Sequence, residues 1–189
     1  MSFVSAWAIP PYPGQWNIKY NFLNHKDVSA FKCLVAYPTS LPWSLSSCDT
    51  VYNMTESTAL HYDDRSYTDD SGWAGYGRYH MFTVKNVATR FLDGIKITYV
   101  SFNGNNEYIR SHSVYIKNFQ TSTWELLGTA NVAPNRDSKF YFTLASNPSN
   151  YVSNGQIEVL TTDGRESFGS IQSDFFEVNT HYAYPPPEI

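Results

Sequence analysis

Charged residues are scarce in this chain. Asp, Glu, Lys and Arg together make up 16% of its 189 residues, against about a quarter in average soluble proteins. The formal net charge is −4, and no stretch of the sequence concentrates Lys or Arg. Nucleic acids and anionic membrane surfaces are bound through basic patches, so the sequence predicts neither as a partner.

Long hydrophobic runs are also missing. No apolar stretch approaches the ~18 residues that a membrane-spanning helix needs. The segment from Met1 to Pro10 has no basic residue and is followed by further prolines, so it does not read as a signal peptide. Two alternatives stay open: the protein is made without such a peptide, or Met1 begins a mature fragment.

Only two cysteines are present, Cys33 and Cys48. If they pair, closing the loop between them would stabilise the fold by about 3 kcal/mol in the chain-entropy model. The alternative is two unpaired thiols that act as small hydrophobic residues. Asn53-Met54-Thr55 is a glycosylation sequon. Together these features favour an extracellular or cell-surface location.

Aromatic residues, in contrast, are abundant, at 17% of the chain. Many of them lie in short segments where apolar and polar residues alternate, as in Asp93–Val100, where Ile95, Ile97 and Tyr99 share one side of a strand. Ser113–Phe119 and Trp124–Gly128 are joined by a short polar link, which predicts a β-hairpin. No segment keeps a 3.6-residue period, so little helix is expected.

These patterns predict an all-β protein, an antiparallel β-sandwich with an N-terminal extension; its jelly-roll type is implied by the resemblance described below. Residues 1–37, rich in proline and aromatics, form the predicted extension. Residues 38–179 form the sandwich, and residues 180–189 form a proline-rich tail. The length suits one domain with a substantial core.

Several segments resemble the jelly-roll domains of the galactose-binding-like superfamily. The segments that carry the resemblance are Asp93–Tyr99, Val114–Phe119, Ser122–Gly128, Asn150–Val152, Gly155–Val159 and Ser173–Val178. The resemblance covers about residues 38–179. It implies a domain attached to a larger surface or polysaccharide-degrading protein, and it implies a carbohydrate-binding module.

Sugars are bound by aromatic rings that stack on the pyranose and by polar groups at its edge. A glycine-rich loop and the strand after it supply one candidate set: Trp73, Tyr76, Arg78 and Tyr79. A second set lies between two predicted strands: Asn105, Asn106, Tyr108 and Arg110. In the alternative interpretation the rings fill the core and the asparagines only form turns. Trp124, inside the hairpin, is expected to be structural.

Acidic residues near one bend raise the possibility of a metal site. Asp63 and Asp64 lie close to Asp69 and Asp70, and carboxylate oxygens are the ligands that Ca²⁺ prefers. The resemblance implies a structural Ca²⁺ between an early loop and the last strand, which makes Asp63, Asp64 and Asp174 the candidate ligands. Solvated aspartates in turns are the competing explanation.

The sequence therefore predicts a non-catalytic module that binds a polysaccharide or surface glycan. One alternative is a structural or assembly module of a cell surface, sheath or virus particle. The other is a polysaccharide-cleaving enzyme, which would need two carboxylates across one cleft. Glu125, Glu158 and Glu177 lie on predicted strands and are expected to point outward, but no catalytic sequence motif accompanies them.

Overall fold

The computed structural model describes residues 16–22, 27–36, 50–51, 68–71, 76–103, 109–162 and 170–183. These residues form eleven strands and one short 3-10 turn at Pro148–Tyr151. The strands are β1 (Trp16–Asn21), β2 (Val28–Ala36), β3 (Thr50–Val51), β4 (Thr68–Ser71), β5 (Tyr76–Val84), β6 (Leu92–Asn103), β7 (Arg110–Asn118), β8 (Thr123–Val132), β9 (Arg136–Leu144), β10 (Ile157–Thr162) and β11 (Ser170–Tyr182). In this part of the chain no helix is long and apolar enough to cross a membrane.

The strands form two antiparallel sheets. The first has the order β1-β11-β6-β9, and β4 pairs with the part of β11 that precedes its pairing with β1. The second has the order β3-β2-β5-β10-β7-β8. Strands that are neighbours in a sheet are mostly distant in sequence, as in a sandwich built from crossing connections. The fold is the predicted all-β jelly-roll sandwich.

The two sheets pack through aromatic rings. Phe82 of the six-stranded sheet stacks on Phe176 of the five-stranded sheet, with ring centroids 4.2 Å apart and an interplanar angle of 10°. Phe22 and Tyr99 also pack against Phe82, with ring centroids 6.4 and 6.0 Å from it. Phe82 and Phe176 are completely buried. Such offset ring contacts stabilise a core beyond the area they bury.

Strand alternation decides which side chains reach this core. Along β6, Ile95, Ile97 and Tyr99 are buried in the core, while Lys96 lies on the opposite, exposed side. The predicted hairpin is confirmed as β7 and β8, whose pairing contains a bulge opposite Val114 and Tyr115. Gly128 lies at this bulge, where an added Cβ would come within 3.0 Å of the Phe142 ring.

The segment predicted as an N-terminal extension contributes a strand to each sheet. Residues Trp16–Asn21 pair with β11, and Val28–Ala36 pair with β5. Tyr20 and Phe22 are buried in the core, because alternating apolar residues at a sheet edge bury their apolar side. The sheets therefore begin before residue 38, and the proposed boundary at residue 37 falls just after β2.

Polar side chains, rather than apolar ones, fill the space between the sheets toward the end where β5 and β7 begin. The hydroxyl of Ser173 contacts both His80 Nδ1, at 2.6 Å, and the Tyr99 hydroxyl, at 2.9 Å. His112 Nδ1 contacts the Ser101 hydroxyl at 2.7 Å. Each of these residues is at most 1% exposed. Buried polar groups of this kind are tolerated only when they are hydrogen-bonded.

Replacement of Phe82 by alanine should remove the central contact between the sheets. We expect Phe82→Ala to lower the free energy of unfolding by about 3–5 kcal/mol, because it leaves a cavity where two rings now stack. Urea denaturation measures the change. Tyr141→Ala is the matched control: that ring is 69% exposed, so its loss should change stability by at most about 0.5 kcal/mol. Equal losses in the two variants would contradict the assignment of the core.

Stability should also depend on pH through His112. Burial, reinforced by the Arg110 guanidinium, lowers the pKa of His112 from 6.5 to about 4. The unfolded chain therefore takes up a proton between about pH 6.5 and pH 4 that the folded chain does not. The free energy of unfolding should fall by up to about 3 kcal/mol as the pH falls through this window.

Denaturation curves of the intact chain and of His112→Asn, recorded from pH 7 to pH 4, test this expectation. The asparagine amide can still bond to the Ser101 hydroxyl but does not titrate. The free energy of unfolding of His112→Asn should depend less steeply on pH, by the contribution of one histidine. Identical slopes in both proteins would refute a lowered pKa for His112.

Candidate functional site

The structure brings the strands next to the two predicted ligand loops close together. β5 begins at Tyr76, after the glycine-rich segment, and β7 begins at Arg110, after the asparagine-rich segment. Both strands pair with β10, one on each side, so that Tyr79 and Ser113 are the two neighbours of Thr162. The two predicted loops therefore join the six-stranded sheet at the same end and only one strand apart.

The side chains predicted for the first loop are only partly described. Trp73 lies outside the described residues, and Tyr76 and Arg78 are described by their backbone in β5 alone. Tyr79 is 5% exposed and packs in a small apolar cluster with Met81 and Leu160. This placement offers no ring face to a ligand, so a stacking role for Tyr79 stays a prediction that the arrangement does not favour.

The second predicted set is placed in a similar way. Asn105, Asn106 and Tyr108 lie outside the described residues. Arg110 is 7% exposed and lies beside His112, whose pKa its guanidinium helps to lower. By alternation along β7, Arg110 shares the inner side of the strand with Val114 and Ile116. A surface role for Arg110 is likewise not favoured.

Of the proposed calcium ligands, only Asp174 falls in the described part of the chain. It lies in the last strand, as expected, at a bulge between Ser173 and Phe175, and it is completely buried. Asp63 and Asp64 are outside the described residues, as is Cys48. Within the described ranges no group of three or more His, Cys, Asp or Glu side chains could hold a metal ion. The calcium site and the disulfide stay predictions.

A different set of residues shares the outer side of the six-stranded sheet, where those of the central strands are buried and those toward β8 are partly exposed. The strand registers align three rows across β5, β10, β7 and β8. The rows are Thr83-Glu158-Lys117-Trp124, Met81-Leu160-Tyr115-Leu126 and Tyr79-Thr162-Ser113-Thr129, with Glu158 placed opposite Lys117 by extending the β10–β7 register by one pair. We name this surface the outer aromatic face. Its middle row is apolar, and the rows beside it are mainly polar.

Exposure along the outer aromatic face rises toward the sheet edge. Met81 and Leu160, near the middle of the sheet, are completely buried. Tyr115 and Trp124, on β7 and β8, are half-buried and pack against that buried cluster. Leu126 beside them is 55% exposed. Two aromatic rings and a leucine therefore form a partly open apolar strip at the β7–β8 edge.

Hydrogen-bonding groups are fixed next to this strip. The Lys117 ammonium lies 5.3 Å from the centre of the Trp124 ring and donates a hydrogen bond to the Ser122 carbonyl oxygen at 3.0 Å. Glu158 accepts a hydrogen bond from the Gln156 amide at 2.8 Å. Burial raises the pKa of Glu158, and Gln156 and Lys117 oppose the rise. On the neighbouring row the Ser113 and Thr129 hydroxyls are 2.8 Å apart.

The three strand carboxylates lie on three different surfaces. Glu158 is on the outer aromatic face, and Glu177 is on the outer side of the other sheet, where it pairs with Thr98. Glu125 pairs with the inward Ile116, and its oxygens accept hydrogen bonds from Asn118 at 2.6 Å and Tyr151 at 2.8 Å. The expectation that Glu125 points outward is therefore wrong: on β8 it is Trp124 and Leu126 that face outward.

Sequence reasoning missed the outer aromatic face because it assigned Trp124 to the structure of the hairpin. The hairpin pairing itself contained the necessary signal. Lys117 pairs with Trp124 and Tyr115 with Leu126, so these two outward residues of β7 each have an apolar neighbour on β8. The inward run of β7, through Val114 and Ile116, already fills the core side of this hairpin.

Comparison with known proteins identifies similar folds and no family. No family model matches the chain, and no curated protein matches it. Solved structures that are similar include a xylan-binding module CBM15, with 11% identity over 90% of this chain and 99% of that chain, at a TM-score of 0.46. A family 35 carbohydrate-binding module from Clostridium thermocellum shows 10% identity over 86% of this chain and 97% of that chain, at a TM-score of 0.37.

A third similar structure is the CBM22-1 xylan-binding domain from Paenibacillus barcinonensis Xyn10C, with 7% identity over 60% of this chain and 81% of that chain, at a TM-score of 0.39. Parts of glycoside hydrolases also match, among them a GH29 fucosidase of Ruminococcus gnavus, of which the chain covers 28%. The neighbours thus include carbohydrate-binding modules, the class to which the sequence resemblance pointed. At these identities and TM-scores they support no statement about a shared ligand or site.

Proposed function

We propose that this protein is a non-catalytic carbohydrate-binding module, and that the β7–β8 part of the outer aromatic face binds the polysaccharide. The observation that carries the proposal is the half-buried pair Tyr115 and Trp124, held in an apolar strip with hydrogen-bonding groups on the rows beside it. An aromatic ring fixed in this way matches the apolar face of a pyranose.

Rigidity supports a binding role for this strip. Tyr115 and Trp124 lie on paired strands, and both rings are buttressed by completely buried neighbours. Lys117 is fixed by the Ser122 carbonyl and by the Trp124 ring. Groups that are already ordered lose little conformational entropy when a ligand arrives. The half-buried Ser113 hydroxyl and the exposed Thr129 hydroxyl beside the strip would then bond to the hydroxyls along the edge of the sugar.

The placement of the carboxylates supports a role without catalysis. Glycoside hydrolysis needs two carboxyl groups within about 5–10 Å of each other across the scissile bond. Glu158 and Glu177 lie on opposite outer sides of the sandwich, and both oxygens of Glu125 accept hydrogen bonds from other side chains. No pair among these three carboxylates can flank one bond.

We infer that the module acts outside the cell as part of a larger protein.

Removal of either ring of the strip should weaken binding. We expect Trp124→Ala and Tyr115→Ala each to raise the dissociation constant by roughly 10–100-fold, because each deletes a central aromatic contact. Affinity gel electrophoresis with a panel of neutral polysaccharides measures the effect. The panel should include xylan and β-1,4-galactan, since a xylan-binding domain and a module in complex with β-1,4-galactotriose are among the similar structures.

Trp16→Ala is the control, since Trp16 is 47% exposed but belongs to the other sheet. Its retardation should match that of the intact protein. Loss of binding in Trp73→Ala or Tyr76→Ala, with Trp124→Ala unaffected, would instead place the site at the predicted loop. Release of reducing ends, abolished by Glu158→Gln, would show an enzyme. Self-association without binding to any polysaccharide would favour an assembly module.

A further inference from the structure

The outer side of the five-stranded sheet carries an ordered group of basic and aromatic residues that the proposed function does not use. The registers align Lys19 with Asn179, Asn179 with Lys96, and Lys96 with Thr143, in one row across four strands. The next row is Asn21-Glu177-Thr98-Tyr141. Residues that are directly paired across antiparallel strands share a face, so these two rows form a single surface. We name it the lysine face.

Spacing on the lysine face follows from sheet geometry. Adjacent strands are about 4.8 Å apart, which puts the Cα atoms of Lys19 and Lys96 about 10 Å apart across β11. Tyr141 is the diagonal neighbour of Lys96, at about 7 Å. Tyr141 is 69% exposed, the largest exposure among the large hydrophobic side chains that the structure describes. The exposed Tyr141 ring therefore lies beside Lys96, with Lys19 about 10 Å further across the sheet.

The local charge is positive although the chain as a whole is acidic. Lys19 and Lys96 are the two cations in these rows. Glu177 is the carboxylate in these rows. Its Oε1 lies 3.9 Å from Lys19, and its Oε2 accepts a hydrogen bond from Asn21 at 3.2 Å. The Lys19 side chain is still 63% exposed.

Lys96 adds to the positive charge of this face. Within the described part of the chain, no carboxylate lies within ion-pair distance of Lys96. His181 lies two residues from Asn179 on the same side of β11. Burial lowers the pKa of His181, the positive charge of Lys96 lowers it further, and Asp93 opposes the shift. Asp93 lies three residues before Lys96 on β6, and Asp137 lies near the other end of the sheet, opposite Phe102.

We propose that the lysine face is a second binding surface, and that it binds an anionic polysaccharide bearing carboxylate or sulfate groups. Lys19 and Lys96 contact anionic groups on the polymer, and Tyr141 stacks on a sugar ring between or beside them. The Asn179 and Thr98 side chains, between these residues, are positioned to bond to hydroxyls. This surface lies on the opposite side of the sandwich from the outer aromatic face and does not depend on it.

Binding to charged and uncharged versions of the same polymer tests the proposal. The probes are polygalacturonate against its methyl ester, and dextran sulfate against dextran, in affinity electrophoresis at low salt and at about 0.15 M salt. We expect retardation by the charged polymers alone, and a loss of most of it at the higher salt. The relative strength of the two charged probes distinguishes carboxylate from sulfate as the preferred group.

Variants then assign the binding to this face. Lys19→Gln combined with Lys96→Gln should weaken binding to the charged probe by roughly ten-fold, since two exposed ionic contacts are lost. Tyr141→Ala should also weaken it, without changing the net charge. Lys85→Gln combined with Arg90→Gln is the matched control, because it removes the same charge from exposed positions between β5 and β6. Unfolding curves should show that all variants are folded.

The outcomes are separable from those for the outer aromatic face. Trp124→Ala should keep its binding to the charged probes, and the double lysine variant should keep its binding to neutral polysaccharides. If the protein binds neither polygalacturonate nor dextran sulfate, the proposal is overturned, whatever the neutral polysaccharides show. Equal weakening by the Lys85/Arg90 control would also overturn it, because the effect would then be one of net charge. A Tyr141→Ala variant that binds the charged probe as tightly as the intact protein does would overturn it as well.

Discussion

The aromatic contact between the sheets, centred on Phe82 and Phe176, is the constraint on which the surfaces of this molecule depend. Side chains alternate along a strand, so a register shift of one residue would move every inward ring to the outside. The packed rings make such a shift costly. By fixing which residues of β5 and β11 point inward, they also fix which residues point outward, and the strand registers extend this choice across each sheet to both proposed binding faces. The core thus determines the surface chemistry through strand register.

Local pattern was sufficient for the sheets and insufficient for their edges. Ile95, Ile97 and Tyr99 could be assigned to the core because a long, regular alternation leaves one interpretation. On β8 the same rule failed, since alternation shows which residues share a side but not which side is covered. Trp124 and Leu126 look like core residues by composition. They face outward because β8 is the last strand of its sheet and Ile116 and its inward neighbours already meet the opposite sheet.

The predicted ligand residues show a second limit of the sequence. Arg110 shares its side of β7 with Val114 and Ile116. Once the strand is known to begin at Arg110, the alternation of side chains along it predicts that Arg110 is buried. Tyr79 is different: alternation places it on the outer side, with Met81, yet both are buried. β10 pairs with β5 on one side and with β7 on the other, although the three strands come from distant parts of the chain. No local sequence pattern predicts this pairing. The two predicted loops could not be recognised as neighbours without it.

Two outward faces on opposite sides of one core have a physical consequence for ligand choice. A short oligosaccharide can occupy one face only, and the rigid core between the faces leaves the other unchanged, so the two affinities should be independent. A long polymer could reach both faces only by passing around the edge of a sheet, where its effective concentration at the second face depends on its stiffness. A stiff neutral chain would then gain nothing from the lysine face. A chain with anionic groups would be held at the lysine face, because its charges are attracted to Lys19 and Lys96, and this binding would not need the Tyr115–Trp124 strip.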